Sequence, residues 1–145
     1  MPRLVLFAAC ERAIVDQQNS LTIVGFLQEL KVQVPESGQK PPPDANAPMK
    51  WEVVTQWAVL PTDIGRHFEQ RFALFNPAGQ QTAVSATGAL DLSGAYNRNI
   101  ATIFGFPIGS PGRYTLKLWL SENDQEPEQP VAEYWIDVGL EVLSK

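Results

Sequence analysis

His67 is the only histidine in the sequence, and Cys10 is the only cysteine. One imidazole leaves one candidate general base and removes metal sites that need two or three imidazoles. A Cys10–His67 pair could in principle join a nucleophile to its base. Cys10, however, closes the apolar run Leu4–Cys10, and a thiol in apolar surroundings is normally inert. His67 is expected to be a half-exposed strand residue. A single cysteine also excludes an internal disulfide and any zinc site built on several thiolates. The carboxylates offer no obvious catalytic pair. Glycoside hydrolysis needs two of them at a controlled separation. Glu52 has Lys50 and Val54 as same-face neighbours, and Asp137 has Trp135 and Gly139. The acidic stretch Glu122, Asp124, Glu126 and Glu128 carries oxygens of the kind calcium takes, but it lacks the EF-hand pattern and is interrupted by Pro127. It is expected to be a solvated hairpin loop. No glycine-rich phosphate loop, nucleophile elbow or metalloprotease motif occurs. The expectation is therefore no catalytic residue, no cofactor and no metal.

Aromatic residues are the more informative chemistry. Trp119 and Trp135 fall on the polar side of two strand-like segments, together with Lys117 and Asp137. If those segments form a hairpin that pairs Leu120 with Tyr134, the two indoles face each other. They would then form either an adhesive outer patch or a surface covered by another part of the chain. Trp119, Trp135, Lys117 and Asp137 are the candidate interaction face. Trp51 and Trp57 lie on the apolar side of their own segment and are expected in the core.

The elements that must position these residues are strands. Trp51, Val53, Thr55, Trp57 and Val59 alternate with Lys50, Glu52, Val54, Gln56 and Ala58. Tyr114, Leu116, Leu118 and Leu120 alternate with Arg113, Thr115, Lys117, Trp119 and Ser121 in the same period of two, which belongs to a strand with two distinct faces. Eight strands are predicted at about 3–12, 21–34, 49–60, 67–75, 80–91, 100–108, 113–121 and 131–143. The segment 21–34 is long, and its apolar phase shifts after Leu27. A bend near Gly25 or Gln28 would let it serve two sheets. Gln17–Ser20, Asn76–Gly79 and Ser110–Gly112 read as turns. Pro61–Arg66 could hold a short helical turn capped by Thr62 or Asp63. Residues 35–48 read as a proline-rich crossover loop, with Pro41-Pro42-Pro43 as extended polyproline II. Tyr114, opening a strand after Gly112, resembles the tyrosine corner of sandwich domains.

Composition agrees with this organisation. The 145 residues are 44% hydrophobic, 19% charged and 10% aromatic, which is globular and enough for one domain with a core. The net charge of −5 comes with no basic cluster, which argues against nucleic acid and against an anionic membrane surface. No apolar run is long enough to span a membrane. The stretch Arg3–Cys10 superficially resembles a lipoprotein signal, but its apolar part is short, and a first strand is expected. A lone cysteine suits a reducing, cytoplasmic setting.

The opening Met1-Pro2-Arg3-Leu4, then Cys10-Glu11-Arg12-Ala13-Ile14-Val15-Asp16 and Asn19-Ser20-Leu21-Thr22-Ile23, resembles a family of small stand-alone bacterial β-sandwich proteins of unknown function. The likeness covers about the first 30 residues and the segments Gly112–Leu120 and Tyr134–Val138. It implies a β-sandwich and a bacterial cytoplasmic protein, and it supplies no catalytic residue. The fold expected is an all-β, two-sheet antiparallel sandwich of seven to nine strands, immunoglobulin-like, over residues 1–145. The function expected is a non-catalytic protein-interaction or assembly module that binds a protein partner or itself. A carbohydrate-binding module using exposed aromatics is the alternative, and an enzyme ranks last.

Overall fold

A computed structural model describes residues 1–34 and 41–142. Two β-sheets pack face to face. The strands are β1 (Arg3–Val15), β2 (Leu21–Phe26), β3 (Glu29–Val34), β4 (Asn46–Ala58), β5 (Phe68–Phe75), β6 (Gln81–Ala89), β7 (Tyr96–Pro107), β8 (Gly112–Glu122) and β9 (Ala132–Val142). The four-stranded sheet has the order β2-β1-β4-β7, and the five-stranded sheet the order β3-β9-β8-β5-β6. All neighbours are antiparallel except β3 and β9. No α-helix occurs among the described residues.

The period-two reading decides which side chains meet. Trp51, Val53 and Trp57 of β4 point at Phe68, Phe72 and Leu74 of β5 and at Tyr114, Leu116, Leu118 and Leu120 of β8, and all belong to one buried cluster. Trp51 and Trp57 are in that core, as expected. The other side of β4 is less exposed than the alternation implies. Glu52 and Val54 are buried as well, and both oxygens of Glu52 are used. Oε1 accepts the Ala13 N–H at 2.9 Å where β1 parts from β4, and Oε2 accepts the Thr102 hydroxyl at 3.0 Å.

The long segment 21–34 does serve both sheets. It leaves the first after Phe26 and joins the second at Glu29. The crossing is held by two backbone bonds, Leu27 N–H to Ala9 O and Asp137 N–H to Gln28 O, each 2.9 Å. Gly25 just before it has φ +65, a left-handed conformation that favours glycine; a Cβ there would only push aside the end of the exposed Glu11 side chain. The turn at Asn76–Gly79 forms as read: Gly79 N–H donates to Asn76 O, Asn76 Oδ1 accepts from Ala78 and Gln80, and Gly79 sits at φ +82.

Two local expectations are corrected. The helical turn is a 3-10 turn at Pro61–Asp63, but Asp63 caps backwards, with Oδ2 accepting the Leu60 N–H at 2.8 Å, and Thr62 makes no cap. In the proline-rich loop, residues 35–40 lie outside the described residues. Beyond them, Ala45 N–H donates to Pro42 O, a tight turn where extended polyproline II was expected, and β4 already begins at Asn46.

Candidate functional site

Strand alternation places Trp119 and Lys117 (β8) and Trp135 and Asp137 (β9) on the outer face of the five-stranded sheet, as the sequence indicated. Their mutual arrangement is different. The β8–β9 register pairs Leu116 with Tyr134 and Thr115 with Trp135, not Leu120 with Tyr134. The four-residue slip follows from the loop. The chain turns tightly at Asn123 and Asp124, both in the left-handed region, and then runs back across the sheet before β9 starts at Ala132. Trp119 therefore lies opposite Arg71 of β5, and the two indoles do not face each other.

Trp119 is not part of an open face, because only 7% of it is accessible. The Arg71 guanidinium lies 4.0 Å from its ring centroid, and Phe75 packs at 6.1 Å. Arg71 is in turn held by Glu126 through two bonds, 2.9 and 2.7 Å, so the acidic loop straps the tryptophan down. Lys117 lies over Phe75 at 4.8 Å. Glu122, likewise, is bound by Arg66. Two of the acids considered for calcium are thus engaged by arginines, and among the described residues no group of three His, Cys, Asp or Glu side chains could hold a metal ion.

Trp135 is the exposed member, 55% accessible. Arg113 stacks at 4.4 Å from its ring and bonds Asp137 at 2.9 and 3.4 Å. These side chains, with Phe26, Gln28 and Glu29 at the sheet crossing, line an open groove of about 440 Å³, in which Glu29 stands beside Asp137 on the neighbouring strand. Phe26 is 53% accessible. Sequence reading missed Phe26, Glu29 and Arg113. Arg113 meets Trp135 through the β8–β9 pairing, and its place on the side of Lys117 and Trp119 was the signal for it. Glu29 arrives because β3 runs parallel beside β9, a pairing between segments more than a hundred residues apart, and the phase shift after Leu27 marked the crossing but not the strand it would meet.

Cys10 and His67 are not brought together. Cys10 lies mid-strand in the four-stranded sheet, fully buried, in register with Glu52 and Phe26. Burial, with the Glu52 charge beside it, pushes its thiol pKa up, which favours the unreactive thiol. His67 sits just before β5 on the other sheet, in a separate cleft of about 390 Å³ shared with Glu69 and Asp124.

Most of these charges record their partners. Arg113 lowers the Asp137 pKa, Arg71 that of Glu126 and Arg66 that of Glu122, in each case mainly through a side-chain hydrogen bond. The Ser93 amide lowers Asp91. For Asp63, burial pushes the pKa up, but the Leu60 amide, the Met1 ammonium at 3.0 Å and Arg66 together bring it below its ordinary value. Burial raises Cys10, Tyr114 and Tyr134. A carboxyl lowered on folding contributes stability above its unfolded pKa and loses it as pH falls through the folded one. A thiol or phenol raised on folding contributes below its unfolded pKa and loses it as pH rises. The unfolding free energy is expected to be flat between about pH 5 and about pH 8.5 and to fall on either side. Urea titrations across pH check this, and stability still rising below about pH 4 would contradict it.

The fold and the groove together define an all-β protein of two packed sheets with an aromatic-walled recess at one sheet crossing. No family model matches the chain, and no curated protein matches it. Among the described residues no helix is long and apolar enough to cross a membrane.

Proposed function

We propose that the protein is a non-catalytic binding module that recognises a protein, a second copy of itself included, through the outer face around Trp135, Arg113 and Asp137. The single observation that carries this reading is a half-exposed tryptophan at the mouth of a groove, with its polar neighbours already oriented. Arg113 and Asp137 fix each other, so little side-chain entropy is lost when a partner covers them. Tryptophan and arginine are also the residues that most often dominate binding energy at interfaces. The face is smaller than the sequence suggested, because Trp119 serves the fold and not the surface.

The finer part of the fold reading is an immunoglobulin-like sandwich. It is supported by the spatial run β9-β8-β5-β6, by β3 lying parallel to β9, and by Tyr114, whose hydroxyl donates to Ser110 O at 2.9 Å in the manner of a tyrosine corner. The β1–β2 hairpin at the sheet edge departs from that plan. A bacterial cytoplasmic setting rests on the sequence resemblance and on the single, buried cysteine.

Light scattering coupled to size exclusion tests self-association. The wild type is expected to be a dimer or larger, and Trp135→Ser a folded monomer, the dissociation constant rising at least about 30-fold for a residue contributing about 2 kcal/mol. Equal association in both chains would exclude this face, and a wild type that stays monomeric at high concentration would exclude self-association. The second reading, a carbohydrate-binding module, is favoured by one observation. Trp135 is ringed by Gln28, Glu29, Arg113 and Asp137, planar polar groups suited to sugar hydroxyls. Tryptophan emission unchanged across a panel of sugars would remove it.

A further inference from the structure

An arginine held between a tryptophan ring and a carboxylate occurs twice on the outer side of the five-stranded sheet. Arg71 lies on Trp119 and is clamped by Glu126, and Arg113 lies on Trp135 and is clamped by Asp137. In each, an aromatic face and a carboxylate hold one guanidinium, combining cation–π attraction with charge-assisted hydrogen bonds. The groove at the sheet crossing is lined by a further aromatic and a further carboxylate, Phe26 and Glu29, together with Trp135. Here no cation of the chain is clamped between them, although Lys31, two residues along β3 on the same exposed side, lines the adjoining recess with Glu29, Arg113 and Asp137. Among the described residues Glu29 makes no ion pair, and Phe26 has no cation over its ring. Arg113, the one cation in the groove wall, is engaged by Asp137.

We infer that the groove takes an arginine or lysine side chain from a basic segment of a partner protein, its cation lying between Phe26 and Trp135 and its charge met by Glu29. This inference rests on the protein-binding reading of the Trp135 face and names the chemistry of the partner. Charge complementarity points the same way. Around the groove Glu29 and Asp137 are balanced by Arg113 and the neighbouring Lys31, but the whole chain carries −5, so a basic segment is drawn in while an acidic one is repelled. An aromatic recess lined by an acid suits a cation better than it suits a neutral apolar side chain, which would leave Glu29 desolvated without compensation.

The test is calorimetric titration of the full chain with a capped peptide alternating arginine and glycine. A matched peptide carrying citrulline, which keeps the shape and loses the charge, is the control. The arginine peptide is expected to bind, and the citrulline peptide to bind at least about tenfold more weakly. Glu29→Gln and Trp135→Ser should each weaken the arginine peptide by about tenfold, while Lys31→Gln, a neighbouring strand residue outside the groove wall at Trp135, should not. Raising salt from about 0.05 M to about 0.5 M should weaken binding as well. Equal affinity for the two peptides, or full affinity in Glu29→Gln, overturns the inference. If the arginine peptide does not bind while Trp135→Ser still abolishes self-association, the cation-binding inference fails and the protein-binding reading stands. If neither effect is seen, both fail.

Discussion

Replacing Gln70 by alanine is expected to lower the unfolding free energy by about 4 kcal/mol. Gln70 stands on the inner face of β5, among Phe68, Phe72 and Leu74, and is almost wholly buried. Its Oε1 accepts two hydrogen bonds from the opposite sheet, from the Thr55 hydroxyl and the Trp57 indole N–H, both at 2.8 Å. Truncation removes the acceptor and leaves two buried donors without a partner, each costing about 1–3 kcal/mol, in addition to the cavity. Gln70→Glu is the instructive companion. It keeps an oxygen for both donors, but burial raises the pKa of the new carboxyl. Its stability should be near the wild type below the ordinary carboxylate range and fall as pH rises through the folded pKa. Urea denaturation of the three chains at two pH values gives both results. A loss below about 1 kcal/mol for Gln70→Ala would mean that the two donors find other partners.

Phe106→Ala should cost a similar amount, about 4 kcal/mol, for an apolar reason. Phe106 at the end of β7 touches Trp51 of β4 and Tyr114 of β8, with ring centroids 5.3 Å away in both cases, the second edge-on. It therefore joins the two sheets at one point. Trp51 has a further bond across β7, its indole N–H donating to Gly105 O at 2.9 Å, so the tryptophan cannot swing into the space left by the phenyl ring without losing that bond. Partial collapse is blocked, and the cavity term stays large. Tyr114→Phe removes only the bond to Ser110 and should cost about 1 kcal/mol. Equal losses in the two variants would show that the ring contacts contribute little beyond the hydroxyl.

The contrast among Trp51, Phe106 and Gln70 shows what could be read in advance. Trp51 sits on an apolar face that period-two alternation exposes directly, whereas Phe106 shares its parity with the exposed Phe104 and turns inward only because Gly105, at φ +91, breaks the alternation of β7. Gln70 could not be recognised as a buried acceptor. A glutamine at an inward position has no sequence signature, and its partners, Thr55 and Trp57, belong to the other sheet. The same limit applies at the candidate site. That Trp119, Trp135, Lys117 and Asp137 share one side of the five-stranded sheet was legible. That Trp119 is strapped under Arg71 and Glu126 was not, since the cover comes from one adjacent strand and one returning loop.

The sequence by itself determined the all-β class, the inward side of β4, β5, β8 and β9, the turn at Asn76–Gly79, the switch of one segment between sheets near Gln28 and the core position of Trp51 and Trp57. Each depends on local rules: alternation, glycine and proline backbone preferences, and a phase shift within a single segment. Only the tertiary structure decided the β8–β9 register, the burial of Trp119 and the meeting of Phe26, Glu29 and Trp135 in one groove. Those depend on which strands become neighbours and on how far a loop runs before its strand begins. Alternation repeats every two residues and is satisfied equally well by a slip of four, so the pattern that placed each side chain on its face could not say what it would find beside it.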